Sequence, residues 1–260
     1  MQKPINRVAT GSAAGTDAYG IQTYAAQNLI TAQDMTVNPG GSGNNVQWIT
    51  NESEPFARIN YVTAFTFGLR WSFADRNQSQ FYARFKIRRS ASACSKMFKC
   101  LGQRFNGGAD YSNTTFGPSI FGYTSTGIGI QWDDGISGGN DNGIGYNMAG
   151  AMAGGTTSGS FSRAQPTVTG TSTYSIDTGG STWVEFEIFT KFNSNNTPDG
   201  EVIIWIDGAL KFHATGVYNC VNDGQPRDVI GLGEYSASSG FSEDYKQFYV
   251  SSERPVGRGV

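Results

Sequence analysis

Apolar and polar residues alternate along several segments that follow residue 55, which is the pattern of β-strands with one buried face. The clearest case is FYARFKIRR at residues 81–89. Its apolar face consists of Phe81, Ala83, Phe85 and Ile87, and its opposite face consists of Tyr82, Arg84, Lys86 and Arg88. Because successive side chains of a strand point to opposite sides, this segment is predicted to be a core strand with a basic outer face.

Further segments have the same character. YVTAFTFGLRW at residues 61–71 alternates throughout and predicts one continuous strand. In STWVEFEIFTKF, one face consists of Val184, Phe186 and Ile188, and the other of Trp183, Glu185, Glu187 and Phe189. VIIWI at residues 202–206 is apolar on both faces, which is typical of a strand inside a sheet. Asp207 and Gly208 then predict a two-residue hairpin turn, since Asp-Gly supplies the positive φ angles that it needs.

Composition agrees with this pattern and divides the chain. Glycine accounts for 35 of the 260 residues, aromatic residues for 13% and charged residues for 15%, which favours many short strands joined by tight turns. Residues 1–55 are instead polar and rich in small residues. We expect them to form an N-terminal arm or assembly segment before a β-sandwich at residues 56–260. The segment would be an extended arm, a loop layer or a weak helix. The glycine-rich residues 135–160 predict a long loop.

Net charge and the absence of targeting signals limit the classes of partner and the cellular compartment that we expect. The formal net charge of −2 gives no overall attraction to nucleic acid or a membrane, so neither is expected as a partner. No apolar run has the length that spans a bilayer, and MQKPINRVATGSAAG at the start lacks the apolar core of a secretory signal, so we expect synthesis in a cytoplasm. Three cysteines without CxxC spacing predict free thiols, and a single histidine excludes a histidine-rich metal site.

The order of motifs in the second half of the chain resembles a known superfamily. WVEFE at 183–187 is followed by the Asn-rich KFNSNNTPDG, by DGEVIIWIDGALKF, by IGLGEY and by FYVSSERPVG. This order resembles the C-terminal half of concanavalin A-like jelly rolls, in particular their polysaccharide-lyase and laminin-G-like branches. The resemblance covers roughly residues 60–257. It implies an all-β jelly-roll sandwich of two antiparallel sheets, here with a polar N-terminal extension.

Glycosidases of this superfamily commonly carry an E-x-D-x-x-E strand, because retaining cleavage needs two carboxyl groups about 5 Å apart. Here Glu185 and Glu187 share a face, but Thr190 stands where the third acidic residue is expected. The motif is therefore incomplete. The alternative interpretation is that both glutamates pair with basic residues of a neighbouring strand.

Alginate-lyase-like relatives carry a late Y-F-K-A-G-x-Y-N-Q strand and a Q-x-H motif. FHATGVYNC at 212–220 resembles the former, with Thr215 as an inserted residue and Tyr218 as the matching tyrosine. No Q-x-H occurs, since His213 is the single histidine. If the protein is an enzyme, the resemblance implies that Glu185, Glu187, His213 and Tyr218 are its catalytic residues. The incomplete motifs favour a protein without catalytic residues.

The basic outer face of residues 81–89 is the main candidate for binding. No acidic residue lies between Asp75 and Asp110, whereas eight basic residues do. The predicted glycan- or partner-binding residues are Tyr82, Arg84, Lys86 and Arg88, with Trp132 and Trp183 as platforms for sugar rings. A carboxylated or sulfated glycan or an acidic protein would suit this strip, and the competing interpretation is an ordinary solvated strand face.

The cluster of acidic residues near WDDG and NDNG offers oxygen ligands of the kind that Ca²⁺ prefers. These candidates are Asp133, Asp134 and Asp141. Their spacing matches no EF-hand loop, and Asp-Asn-Gly clusters are common in turns. We therefore expect no bound metal and no other cofactor.

Two hypotheses about function follow. The first is a non-catalytic structural or glycan-binding subunit of a larger assembly, interpreted as the decoration, fibre or tail protein of a phage or virus particle. It would be made in the host cytoplasm, reside in the virion, form homo-oligomers and contact other subunits. The alternative is a polysaccharide lyase or glycoside hydrolase that acts on an acidic glycan, which would be extracellular. A bacterial surface adhesin is a third interpretation.

Overall fold

The computed structural model describes the strands of the chain and several of the turns between them. The described residues are 13–16, 22–24, 36–38, 45–63, 68–72, 79–91, 95–101, 115–122, 128–133, 145–147, 167–169, 182–194, 197, 199–217, 229–236 and 239–251. These residues contain strands and turns but no helix. A membrane-spanning helix is likewise absent from the described part of the chain.

The strands are numbered in chain order. They are β1 (Ala13–Thr16), β2 (Gln22–Tyr24), β3 (Thr36–Asn38), β4 (Asn45–Ile49), β5 (Phe56–Tyr61), β6 (Gly68–Ser72), β7 (Gln80–Arg89), β8 (Ser95–Leu101), β9 (Thr115–Gly122), β10 (Ile128–Asp133), β11 (Gly145–Asn147), β12 (Thr167–Thr169), β13 (Val184–Lys191), β14 (Gly200–Ile206), β15 (Ala209–Val217), β16 (Val229–Ser236) and β17 (Phe241–Ser251).

The strands form two large sheets and one small one. The seven-stranded sheet has the order β11-β10-β9-β8-β16-β6-β3, and the eight-stranded sheet has the order β12-β15-β14-β13-β7-β17-β5-β4. Strands β1 and β2 form a separate two-stranded sheet. All the described pairs are antiparallel. The predicted all-β sandwich of two antiparallel sheets is confirmed.

Phe85 of β7 lies at the centre of the contact between the two large sheets. Its ring stacks on Phe98 of β8 at a centroid distance of 5.8 Å and on Phe186 of β13 at 5.7 Å. The predicted apolar face of β7 is buried at every position. Burial of these rings supplies the main stabilisation of the sandwich, since each aromatic side chain removes a large apolar area from water.

The alternation of apolar and polar residues led to a wrong prediction at one strand boundary. Residues 61–71 were predicted to be one strand, but β5 ends at Tyr61 and β6 begins at Gly68. The two strands belong to different sheets, so the chain changes sheet between them. Alternation in the sequence continues across the change of sheet, so the hydrophobic pattern alone does not mark the end of β5.

Other predictions on local structure have mixed outcomes. The hairpin turn at Asp207 and Gly208 is confirmed, with φ angles of 47° and 76°. Within the predicted loop 135–160, β11 is a short strand that pairs with β10, and the remainder lies outside the described residues. In the predicted N-terminal arm, β3 and β4 are edge strands of the two large sheets. The boundary at residue 55 stays a prediction.

A buried ion pair connects β7 and β17 on the inner side of the eight-stranded sheet. Arg89 Nε lies 3.1 Å from Glu243 Oε1, and the side chains are 1% and 0% exposed. Glu243 Oε2 also accepts a hydrogen bond from the Tyr245 hydroxyl at 2.8 Å. The Tyr61 hydroxyl lies 3.2 Å from the same oxygen and donates to the Gly233 carbonyl of the other sheet at 2.6 Å. The network therefore joins the two sheets through buried polar atoms.

Burial raises the pKa of Tyr245 well above its ordinary value, and the negative charge of Glu243 raises it further. The Tyr245 hydroxyl consequently stays protonated and remains a donor to Glu243 across the usual pH range. This hydroxyl also lies within hydrogen-bonding distance, 3.1 Å, of the Met97 carbonyl in β8. Tyr245 Oη thus lies beside acceptors of both sheets, and its single proton is donated to one of them at a time.

Removal of one partner of the ion pair is predicted to be strongly destabilising. The substitution Arg89→Met leaves a buried carboxylate without its cation and should lower the free energy of unfolding by about 3–5 kcal/mol. The double variant Arg89→Met/Glu243→Leu should lose less than the sum of the two single variants, because no buried charge is left uncompensated. Urea unfolding of the three variants measures this, and additive losses would contradict it.

Glycine at position 233 is predicted to be required. A Cβ there would lie 2.3 Å from the Tyr61 hydroxyl oxygen and 2.7 Å from Ile59 Cδ1, and φ is +62°. Gly233→Ala should therefore lower the free energy of unfolding by about 2–4 kcal/mol. Gly240→Ala is the matched control, since φ is +76° but no atom lies within 4 Å of the added Cβ. Its loss should be about 1 kcal/mol, and equal losses in the two variants would contradict the steric explanation.

Candidate functional site

Most of the predicted site residues lie on one surface, the side of the eight-stranded sheet that faces away from the seven-stranded sheet. We call this surface the outer face. Register pairs Glu185 with Lys86 and Glu187 with Arg84 across β13 and β7. Ile203 of β14 pairs with His213 of β15. The outer face therefore carries the predicted residues Tyr82, Arg84, Lys86, Arg88, Glu185, Glu187 and His213, and Trp183 joins them through its contact with Arg88.

The remaining predicted residues do not join this group. Trp132 lies in β10 of the seven-stranded sheet, where it pairs with Pro118. Tyr218 lies outside the described residues. β10 ends at Asp133, and Asp134 and Asp141 lie outside the described residues, so the expectation that these candidates bind no calcium stays a prediction. Among the described residues, no three or more His, Cys, Asp or Glu side chains cluster to hold a metal ion.

The central part of the outer face is apolar and buried. Tyr82, Phe189, Ile203 and Trp205 are each at most 2% exposed and pack together, with Leu210 and Tyr249 at their edge. The Tyr82 hydroxyl donates a hydrogen bond of 2.6 Å to Glu187 Oε2. Glu187 is 0% exposed. Tyr82 was predicted to be a binding residue on an exposed strip, but it is buried, because its ring packs in this cluster and its hydroxyl binds a carboxylate.

The basic side chains of β7 face acidic side chains on both neighbouring strands. Arg84 Nη2 lies 2.8 Å from Glu185 Oε2, and Lys86 Nζ lies 3.9 Å from the same oxygen. Arg88 donates to Asp244 Oδ2 at 2.8 and 3.0 Å. Opposite charges that face each other across a sheet stabilise one another. The predicted positive strip is therefore largely compensated, because the register brings acidic residues from distant parts of the chain beside it.

Asp244 also binds a second guanidinium group. Arg58 of β5 donates from Nε to Oδ1 at 2.7 Å and from Nη2 to Oδ2 at 2.9 Å. The hydrogen bond to Asp244 raises the pKa of Arg58 above its ordinary value. Bidentate geometry of this kind fixes both partners in position. Asp244 thus holds Arg58 and Arg88 side by side on the outer face.

Trp183 lies over the cations at one end of β7. The Arg88 guanidinium carbon is 4.5 Å from its ring centroid, and Lys246 Nζ is 4.4 Å from it. The buried Phe56 ring meets Trp183 edge-on at 5.5 Å. Both cations are within the distance at which an aromatic ring attracts positive charge. Trp183 is half-buried and lies beside these charged groups.

Sequence reasoning missed the loop that follows β4. Residues 50–55, TNESEP, contain Glu52 and Glu54, and we call this segment the acidic strap. Glu52 Oε1 lies 3.2 Å from Arg88 Nη2, and Glu54 Oε2 lies 2.8 Å from Lys246 Nζ. The signal in the sequence was two glutamates spaced two residues apart in a polar loop. Their partners on β7 and β17 could be identified only once the sheet order was known.

The other end of the outer face carries the single histidine. His213 Nε2 lies 2.9 Å from Glu201 Oε1, and the two side chains are 16% and 15% exposed. β14 separates the strand of His213 from that of Glu187. Two strand spacings correspond to about 10 Å between the strand axes. The two predicted catalytic residues are therefore on the same face but on strands that do not adjoin.

The buried bond between Tyr82 and Glu187 is predicted to contribute to stability. Tyr82→Phe removes a donor from a carboxylate that is fully buried and should lower the free energy of unfolding by about 1–3 kcal/mol. Glu187→Gln alone and the double variant complete a double-mutant cycle. A coupling energy near 1 kcal/mol between the two positions is expected from urea unfolding. Purely additive losses would show that the two side chains do not depend on each other.

Comparison with known proteins identifies the fold. No protein-family model matches the sequence, and no curated protein matches it. The structure is similar to that of an endo-beta-1,4-glucuronan lyase from the fungus Trichoderma reesei, with a TM-score of 0.55 and 12% identity over 83% of this chain and 89% of that chain.

Two further solved structures have lower scores. One is the marine PL-14 alginate lyase from Aplysia kurodai, with a TM-score of 0.48 and 11% identity over 83% of this chain and 90% of that chain. The other is botulinum neurotoxin type C, with a TM-score of 0.48 and 12% identity over 86% of this chain and 44% of that chain. The glucuronan lyase match and the two antiparallel sheets together show that this chain has the predicted β-sandwich jelly-roll fold.

Proposed function

We propose that this chain is a non-catalytic glycan-binding subunit of a larger assembly, and that the assembly is a phage or virus particle. One observation carries the non-catalytic part. Glu187 is buried against Tyr82, and Glu185 is bound to Arg84 at 2.8 Å with its side chain 10% exposed. A general acid or base has to reach the substrate and exchange a proton with it. Carboxylates held in this way are not placed for that task.

Glycan binding is supported by the rim of the outer face. There the indole of Trp183 stands within 4.5 Å of Arg88 and of Lys246. Aromatic rings beside charged hydrogen-bond donors suit sugars, which present apolar ring faces and polar groups together. The similar fold of a lyase that acts on glucuronan supports an acidic polysaccharide as the ligand class, by analogy of fold.

Membership of an assembly is supported by the two-stranded sheet of β1 and β2. Among the described strands, these two pair only with each other. An isolated two-stranded hairpin is at best marginally stable in water. Packing against another subunit would stabilise this hairpin, and a homo-oligomer provides such a subunit. The virion is proposed because jelly rolls are frequent in virus particles.

The alternative function is a lyase or hydrolase acting on an acidic glycan. Its support is that Glu185, Glu187 and His213 share the outer face with Arg84 and Lys86. A lyase would need the carboxylate pairs to open when the substrate binds. The two proposals therefore differ in turnover rather than in the kind of ligand.

Activity and assembly can be measured on the same samples. We expect the purified chain to bind polyglucuronate or alginate but to release no unsaturated ends, detected by absorbance at about 235 nm, and no reducing ends. We also expect an oligomer in analytical ultracentrifugation, and a smaller species from a variant that lacks residues 1–35 but retains β3 and β4.

Two results would contradict the proposal. One is a stable monomer that depolymerises the glycan, with a rate that falls at least about 100-fold in Glu187→Gln or His213→Gln, as expected for a general acid or base. The other is an intact chain that binds none of the acidic or neutral glycans offered to it. The activity of the two variants separates true turnover from a contaminating enzyme.

A further inference from the structure

We propose that the acidic strap occupies a binding site for a carboxylated sugar polymer, and that Glu52 and Glu54 hold the positions that the ligand's carboxylates take. This inference rests on the proposed glycan-binding function and adds the location of the site, the ligand class and the element that competes with the ligand. The site consists of Lys86, Arg88, Trp183, Lys246 and Gln247.

The strap carboxylates are held as a bound carboxylate ligand would be. Glu52 lies 3.2 Å from the Arg88 guanidinium group, and Glu54 lies 2.8 Å from the Lys246 ammonium group. The side-chain amide of Gln247 donates to both Glu54 oxygens at 3.0 Å. Charge-assisted bonds from guanidinium and ammonium groups are the contacts by which proteins recognise carboxylates. The donors of the site are therefore already arranged for two carboxylates.

The strap contacts can be exchanged, whereas the contacts beneath them are fixed. The side chains of Glu52 and Glu54 are 44% and 46% exposed. By contrast, the side chains of Arg88 and Asp244 are 13% and 5% exposed at a contact of 2.8 Å. Ion pairs with an exposed partner contribute little to stability. Departure of the strap would thus leave Arg88 anchored in place and uncover two cations.

The positive charges around Glu54 act on it together. The hydrogen bond from Lys246 lowers the pKa of Glu54 below its ordinary value, and the charges of Lys246 and Lys86 lower it further, against the opposing effect of burial. Glu54 therefore stays ionised at neutral pH, and Lys86 is close enough to influence a carboxylate at that position. A uronate carboxylate has the same charge and would meet the same field.

The aromatic ring favours a sugar over an acidic peptide. Trp183 contacts Arg88 and Lys246, the two residues that bind the strap. A uronic acid residue has a carboxylate and, on the same ring, a face of C–H groups that packs on an indole. An acidic peptide offers carboxylates without that face. The juxtaposition of Trp183 with the two cations therefore points to a polyuronate.

A β-bulge supports the view that the site is built for a ligand. Lys246 pairs with Lys86 and Tyr249 pairs with Arg84, so one extra residue is inserted between them. Gln247 in the bulge has a φ of 53°, which is uncommon for a residue other than glycine. Bulges of this kind re-aim side chains and are frequent beside binding sites. Here the bulge coincides with the contact of Gln247 to Glu54.

The test is a titration of the full chain with an oligoglucuronate, in which isothermal titration calorimetry measures the binding affinity. Glu54→Gln removes the competitor and should bind about fivefold more tightly, the change that corresponds to about 1 kcal/mol for an exposed ion pair. Glu201→Gln is the matched control, because it makes the same charge change on the outer face, beside His213 and apart from the strap. It should change the affinity less than about twofold. Trp183→Ala and Lys246→Gln should each weaken binding about tenfold.

Four outcomes would overturn parts of the proposal. Equal effects of Glu54→Gln and Glu201→Gln would refute competition by the strap and leave glycan binding intact. Oligoglucuronate binding that is unchanged in Trp183→Ala and Lys246→Gln would place the glycan site elsewhere. Polyglutamate that binds as tightly as the oligoglucuronate would refute the sugar class. Absence of binding in both the natural chain and Glu54→Gln would refute this site, and a panel of other glycans would then test the proposed function separately.

Discussion

The ion pair between Arg89 and Glu243 determines how the eight-stranded sheet is assembled. Both side chains are buried between the sheets, and neither charge is tolerated there without the other. A slip of β7 against β17 by one residue would turn one of the two charges to the other face. The pair therefore selects a single register. In that register Asp244 lies opposite Arg88, and Lys246 lies opposite Lys86.

The arrangement of charge on the outer face follows from this inner contact. Asp244 next to Glu243 on β17 reaches the outer side because neighbouring residues of a strand alternate. It there binds both Arg58 and Arg88. A sequence with many basic residues in one strand thus gives a surface on which most charges are compensated. What remains available for exchange is at the rim, where the acidic strap meets Arg88 and Lys246.

The sequence predicted those features that depend on neighbouring residues. Alternation in residues 81–89 located the buried face of β7, and Asp207-Gly208 located the hairpin turn. The burial of Tyr82 could not be predicted in this way, since it depends on Phe189 and Trp205, which are more than a hundred positions away. The contacts of the acidic strap have the same cause. The alternation of apolar and polar residues describes one strand by itself. Ion pairs between strands, and the burial of a side chain by other segments, depend on which strands become neighbours.

The β-bulge at Gln247 separates the packing of the core from the length and chemistry of the rim, which a regular strand would tie together. In β17 every other position is tied to the packing of the core, because an inserted or deleted residue reverses the faces of all that follow. At the bulge, two residues oppose one, so the loss of one would restore a regular ladder and leave Lys246 and Tyr249 on the outer face. Residue 247 is therefore a place where the length and chemistry of the rim can change during evolution while the interior of the sandwich is preserved.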